Sequence, residues 1–564
     1  MEDDVKSGDD LLSTLVNWYE ASEEATLTAR QSAERDRDYY DNKQWTDEEV
    51  AELTKRGQPV ITINRIKRKI DFLEGVEKQQ RGDPRAFPRN PQDEDSAEAA
   101  TDAIRFVCDN NDWPTIRSGA WNNMLIEGVG AAEVGIRRVG ERFEVEIKRH
   151  AWDRTFSDPH SSEPDFSDAR YVGVVLWKDY DEAVDLYGHA EALESTLAQG
   201  TTDDTYDDKP KFAVWADSKR KRVKIVLIYY RRGGDWHWCL FTKGGKLRGG
   251  KVPYLDDEDR TECPLIMISA YVDRDNNRYG VVREMVSPQD EINKRRSKAL
   301  HLMTVNQVIA EEGAVEDEQK AKNELAKPDG MVMVQPGMRF EIQKNLDLAT
   351  AQFQLLQEAK SEIDLMGPNA SMAGKSDRGE SGRAIIAQQQ GGYIEMAPLT
   401  DRLNQFSKAV YRQVWNRIRQ YWTEERWIRV TDDENRLRFV PLNKTEVDEY
   451  GQPTVRNDVG RMMVDIIVED VPDTVTIQQE QFDQLAQMAG AGVPIPPDVL
   501  IEASSLRNKD QLLERMRGGE PDPMAEQHAQ LDLAQKDADV KKTLADAAKS
   551  ESSALREAAG NPLL

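Results

Sequence analysis

VREMVSPQDEINKRRSKALHLM, residues 282–303, decides the architecture. Met285, Ile292, Ala299 and Met303 recur on one side of a continuous helical pattern, which at 1.5 Å per residue spans about 33 Å. Pro288 sits near its start, where it either kinks the helix or marks its first turn. A short mixed module follows: apolar VNQVIA (305–310), a charged helical stretch EDEQKAKNELA (316–326), and VMVQPG (332–337), closed by a Pro-Gly turn. A second helix is predicted over 347–366, with Leu348, Phe353, Leu355, Leu356, Ile363 and Leu365 as its apolar positions. Two long helices enclosing a small independent module predict a stalk with a tip.

Beyond Gly367 and Pro368, the stretch NASMAGKSDRGESG (369–382) is polar and glycine-rich. Loops of this length inside a folded body usually carry function. A long helical pattern then runs to Trp422, with Gly391 and Gly392 as its expected kink. Short strands at 427–430, 437–440 and 462–468 are expected to complete a sheet. Helices at 477–490 and 498–517 precede a tail from 519 rich in Ala, Asp, Glu and Lys.

Upstream, residues 11–40 read as a helix with Leu11, Leu12, Leu15 and Val16 on its apolar stripe. QPVITINRIKRKIDFLE (58–74) opens with β-branched, extended residues and turns helical. RGDPRAFPRNP (81–91) carries three prolines that break that helix. A further helix is expected over 94–127, interrupted at Trp113-Pro114. From Ala131 the period changes to two: Val134 and Ile136, then Phe143, Val145 and Ile147, flank Gly140 as a hairpin. A strand at 171–177, a polar linker at 200–210 and a second hairpin, 223–231 with 236–242, follow. The first 270 residues are therefore a mixed α+β body without the strand–helix alternation of nucleotide-binding folds.

Over 564 residues, charged side chains make up 32% and hydrophobic ones 38%, which favours long solvated helices over one compact globule. A formal net charge of −27 argues against a simple cationic nucleic-acid binder. Cys108, Cys239 and Cys263 show no CxxC spacing, so a reducing compartment is expected. No secretory signal and no membrane-length apolar run are present, and the protein is expected to be soluble and intracellular when made. AGKS (373–376) is half a phosphate loop, but a Walker A motif needs Gly where Asn369 stands. EGVGAAEVG (127–135) lacks the GxGxxG order. The aspartates at 203–208 and the acidic run 256–259 sit in tracts of linker character, where a solvated loop is favoured over a two-metal centre. The six histidines show no HExxH pairing. No enzyme, metal or cofactor site is predicted. One basic cluster stands out on the first stalk helix: Lys294, Arg295, Arg296 and Lys298. Lys375, Arg378 and Arg383 add positive charge in and beside the glycine-rich loop.

These stretches, in order, resemble the portal (head-to-tail connector) proteins of tailed double-stranded DNA bacteriophages, most like those of short-tailed phages. YYDNKQW (39–45), GQPVITINRIKRKIDFLEG (57–75), RGDPRAFPRNP, FSDPHSSEPDFSDARYV (156–172), RYGVVREMVSPQDEINKRRSKALHLM (278–303) and GESGRAIIAQQQGG (379–392) carry the likeness, which covers residues 10–515. It implies a multidomain α+β portal fold: wing over 1–280, first stem helix 281–303, α/β clip 304–346, second stem helix 347–367, tunnel loop 368–382, a long kinked helix with wing strands over 383–475, helical crown 476–518 and an acidic tail 519–564. It also implies a homododecameric ring at one capsid vertex of the virion, assembled in the host cytoplasm. Double-stranded DNA would pass non-specifically in packaging and ejection, with terminase large subunit, tail adaptor and major capsid protein as partners and no membrane. Lys375, Arg378 and Arg383 are then the channel-loop candidates, and the basic cluster faces the channel, a neighbour or the shell. The alternatives are another packaging component, such as a terminase nuclease–ATPase, or a helical scaffolding protein.

Overall fold

The computed structural model describes residues 8–79, 81–89, 94–199, 214–304, 307–325, 327, 329–343, 346–366, 382–431, 437–447, 453–462, 464–468, 475–490 and 495–504. They fall in two units, Met1–Asp470 and Val471–Leu564. The mixed α+β class read from the sequence holds, and every strand pairing among the described residues is antiparallel.

The chain opens with α1 (Gly8–Tyr40) and α2 (Asp47–Lys55). A capping box starts α2: Thr46 Oγ1 accepts from the Glu49 amide, and the Glu49 carboxylate accepts from the Thr46 amide, two orphan donors satisfied reciprocally. After an extended segment come α3 (Ile66–Gln79), α4 (Glu94–Asn110) and α5 (Trp113–Ile126). Asp112 separates the last two, and Pro114 sits in the first turn of α5, where its missing N–H costs nothing. The predicted interruption of that helix is thus a true break.

Two sheets follow. Val129–Val139 pairs with Arg142–His150 across Gly140, whose φ of +63° fits the turn, and Leu265–Ser269 adds a third strand. The larger sheet has six strands, running Thr155–Ser157, Tyr171–Asp179, Arg222–Arg232, Asp235–Thr242 and Gly245–Lys251, with Ala216–Asp217 beside Arg222–Arg232. Gly233 and Gly234, both at positive φ, form the two-residue turn of its central hairpin, in which Arg232 pairs with Asp235. Such a turn matches the twist of the flanking strands. Leu15 and Tyr19 of α1 pack on one face against Val226 and Ile228. Val223 and Ile225, which point the other way, pack beneath Ala183 and Leu193 of α6 (Tyr180–Tyr187) and α7 (Ala190–Ala198). A sheet covered on both faces explains why VKIVLIYY reads as an almost unbroken apolar run.

The segment FSDPHSSEPDFSDAR, which leads into the strand Tyr171–Asp179, is organised by two carboxylates. Asp158 accepts from Arg170 Nε at 2.5 Å, Arg170 Nη2 at 3.1 Å and the His160 amide at 3.1 Å. Asp168 accepts from Ser161 Oγ at 2.6 Å and the Ser162 amide at 2.7 Å. Burial alone would raise the Asp158 pKa, but the hydrogen bonds from Arg170 and His160 outweigh it and hold the group at about 2. An unfolded Asp titrates near ~3.9, so the folded state binds the proton more weakly. The resulting stability is present above about pH 4 and is lost as pH falls from there through about 2. Urea unfolding between pH 5 and 2 is therefore expected to show a steeper acid loss in the parent chain than in Asp158→Asn.

The remaining helices are α8 (Val282–Thr304), α9 (Glu318–Leu325), α10 (Leu346–Leu365) and α11 (Gly382–Tyr421), with α12 (Val475–Gly490) and α13 (Pro497–Glu502) in the second unit. The main core gathers α3, α4, α5 and α11 with the three-stranded sheet: Ile70, Ile104, Trp121, Phe406, Val414 and Val134 belong to one cluster. Two sequence expectations change. RGDPRAFPRNP is more than a helix break: Pro84–Pro88 is a strand paired with Val464–Val468. The strands after α11 do not make one sheet. Among the described residues Arg426–Thr431 pairs only with Leu437–Leu442, and Lys444–Val447 pairs with Pro453–Arg456 as a separate ribbon. The strand Gly245–Lys251 and helices α6 and α7 were not anticipated. The linker 200–210 and the tail 519–564 lie outside the described residues, as does most of the second crown helix.

Candidate functional site

The stalk is built from α8 and α10, which run antiparallel: Arg295 Nη1 donates to Gln352 Oε1 at 3.2 Å, while Ile292 packs with Leu356, Ala359 and Ile363. Ile292 and Ile363 are fully buried, and each such side chain contributes about 1.5–3 kcal/mol. Pro288 lies inside the helical span of α8.

The neighbouring face of α8 is polar and equally buried. Gln289, Asn293 and Ser297, four residues apart, face the extended segment 59–65. Gln289 Nε2 donates to Ile63 O at 2.7 Å, and its Oε1 accepts from the Arg65 amide at 3.0 Å. Asn293 Oδ1 accepts from the Ile63 amide at 2.9 Å, and its Nδ2 donates to Gln44 Oε1 at 2.7 Å. Ser297 Oγ donates to Pro59 O at 2.6 Å. Segment 59–65 has strand-forming residues but no strand partner among the described residues, so α8 side chains satisfy its backbone. Asn293→Leu would leave the Ile63 N–H unpaired at a site where Asn293 is 1% exposed. A loss of roughly 1–3 kcal/mol is expected in denaturant unfolding.

The far end of α10 is pinned to α3 and the residue preceding it. Arg65 Nη1 reaches both carboxylate oxygens of Asp364 at 2.7 Å, and Lys69 Nζ donates to Met366 O at 2.8 Å. A cation on the terminal carbonyls of a helix is favourable. This fixes the end of α10.

At the other end sits the tip. Gln307–Ala310 pairs with Phe340–Gln343, so the return strand follows the Gln335–Met338 turn. Asp317 Oδ1 accepts from the amides of Gln319 and Lys320 at 2.9 and 3.0 Å, capping α9. The tip leaves Met331 75% and Met333 84% exposed, and the stalk leaves Leu348 55% and Leu355 37% exposed.

The basic cluster is largely committed within the chain. Lys294 Nζ pairs with Glu49 at 3.0 Å and Asp290 at 3.9 Å, and Arg295 pairs with Glu291. Arg296 stands 5.7 Å over the Phe353 ring. Lys298 is exposed and makes no ion pair among the described residues. Lys375 and Arg378 lie outside those residues. Arg383 lies in the first turn of α11, and its side chain falls outside the description. The polar seam at Gln289, Asn293 and Ser297 escaped sequence reasoning, because buried amides and solvated ones look alike in a helical pattern. No described helix is long and apolar enough to cross a membrane.

Comparison with known proteins agrees with this architecture. Residues 16–557 match the family described as Phage P22-like portal protein. A portal protein of the Helicobacter pylori bacteriophage KHP30 is 20% identical over 495 residues, covering 86% of this chain and 78% of that relative. A match across nearly the whole length, on a chain with this antiparallel stalk and its α/β tip, places the protein in the P22-like portal family of bacteriophages.

Proposed function

We propose that this chain forms a ring of about twelve copies at one vertex of the capsid, with the stalk helices side by side around a bore for double-stranded DNA. The observation that carries the reading is the apolar surface left open on the stalk and tip. Leu348 and Leu355 lie one heptad apart, on one side of α10, beside the positions that meet α8. An isolated soluble chain gains nothing from such a stripe. Adjacent copies in a ring would cover it.

Passage requires that the duplex be held on axis yet slide. Each phosphate neutralised adds salt-sensitive affinity, so a bore lined by many free cations would grip the genome. The pairing of Lys294 and Arg295 with Glu49 and Glu291 removes such cations from play. Lys298, with Lys375, Arg378 and Arg383, remains as a sparse set of weak contacts. No base reading is needed, since the whole genome must pass. Translocation energy would come from a separate ATPase, the terminase, docking at the tip, where the tail adaptor later binds. Exposed methionines suit a surface that must accept two partners in turn, because the thioether chain repacks easily.

The test is to replace residues 305–345 by a short Gly-Ser linker, which the adjacent ends of α8 and α10 can accept. Rings should persist while terminase binding is lost. Loss of ring formation with terminase binding retained would contradict the assignment of the tip, and robust ATP hydrolysis by the purified chain would contradict the division of labour.

A further inference from the structure

A second site, which shares no residue with the stalk, lies on the C-terminal half of α11. A cavity of about 260 Å³ is lined by Arg89, Lys408, Arg412 and Arg419, with Asp257, Asp465 and the Trp415 and Ile466 side chains. Four cations converge on one recess of a chain whose formal charge is −27. The two carboxylates balance only half of that charge: Arg89 Nε contacts Asp465 at 2.7 Å, and Nη2 contacts Asp257 at 3.0 Å. Lys408, Arg412 and Arg419 share one helix face by spacing. None of the three makes an ion pair among the described residues, and Arg419 Nε is buried there without a hydrogen-bond partner.

Like charges four residues apart destabilise a helix, and Lys408 and Arg412 are such a pair. Asp257 also attracts Arg412 through space and offsets part of the cost. A bound anion would offset the rest. We infer that this cavity is a phosphate-binding site, taking either a free phosphate or pyrophosphate or a backbone phosphate of duplex DNA. Guanidinium forks match the oxygens of such a group, and Lys408 adds a mobile point charge at the rim. An acidic peptide fits less well. Asp257 and Asp465 in the lining would repel a run of carboxylates, whereas one tetrahedral group can seat on the remaining cations. The site shares no residue with the stalk, so it stands or falls apart from the ring.

Calorimetric titration of the full-length chain at low salt tests this with pyrophosphate, a 20-base-pair duplex and polyglutamate as separate probes. The variant is Lys408→Gln with Arg412→Gln, both exposed and unpaired among the described residues, so the fold should be kept; thermal melting without ligand checks this. Saturable pyrophosphate binding at one site per chain, weakened at least tenfold in the variant, supports the assignment. If the duplex competes with pyrophosphate and is also weakened in the variant, the physiological phosphate is that of DNA; if it does not compete, the ligand is a free anion. Absence of saturable pyrophosphate and duplex binding, binding undiminished in the variant, or preference for polyglutamate would overturn it.

Discussion

Leu348→Glu combined with Leu355→Glu is expected to give a chain that melts like the parent yet remains monomeric. In the single chain both side chains reach water, at 55% and 37% exposure, and surface changes of this kind usually fall within about 0.5 kcal/mol. In the proposed ring the same positions would be buried by the next copy. Each leucine is already about half covered, so its loss forfeits about 1–2 kcal/mol, and burying an unpaired carboxylate adds to the cost. A deficit of ~4 kcal/mol at every interface lowers each association constant by roughly a thousandfold. Because a closed ring needs all its interfaces at once, assembly should fail altogether. Light scattering after size exclusion reads this, with circular dichroism confirming the fold. A double variant that still forms rings would show that the stripe lies outside the contact between copies.

Arg117→Met should produce the largest loss of intrinsic stability, about 3 kcal/mol. Arg117 on α5 is 5% exposed and joins three helices: its Nη1 pairs with Glu77 on α3, and its Nε donates to Ser407 Oγ on α11 at 3.0 Å. Burial lowers the Arg117 pKa, against the pull of Glu77. Removing the guanidinium strands a carboxylate that is 1% exposed. The value sits at the lower end of the range for broken buried pairs because Glu77 keeps Arg81 at 3.3 Å and the Ser118 hydroxyl at 2.6 Å. Arg117→Met with Glu77→Leu should recover much of the loss, since a matched apolar pair leaves no buried orphan charge and Arg81, which loses Glu77, reaches solvent. Urea midpoints of the two variants decide the matter.

Much of this fold was legible because its signals are local. Gly140 and the Gly233, Gly234 pair mark turns that only a positive φ can make, and the apolar periods on either side then fix strands. The stalk was legible because α8 and α10 each bury one stripe against the other, so Ile292 and Ile363 fall on a helical period. What escaped depends on distant partners. Pro84–Pro88 is a strand only because Val464–Val468 comes to lie beside it, some 380 residues later, and prolines at both ends hide it. The basic cluster read as four equivalent cations, but Glu49 and Glu291 claim two of them and Phe353 a third. Glu49 and Phe353 lie on other helices, and no spacing rule on α8 reports them. The phosphate cavity likewise assembles Arg89, Asp257 and α11 from three remote stretches.

The central claim is that many copies close around an open axis. Native mass measurement of the purified full-length chain, paired with images of the same particles, tests it most directly. The account predicts one closed species of about twelve chains with an axial hole wide enough for duplex DNA. A monodisperse monomer, or an assembly without a central opening, would contradict it.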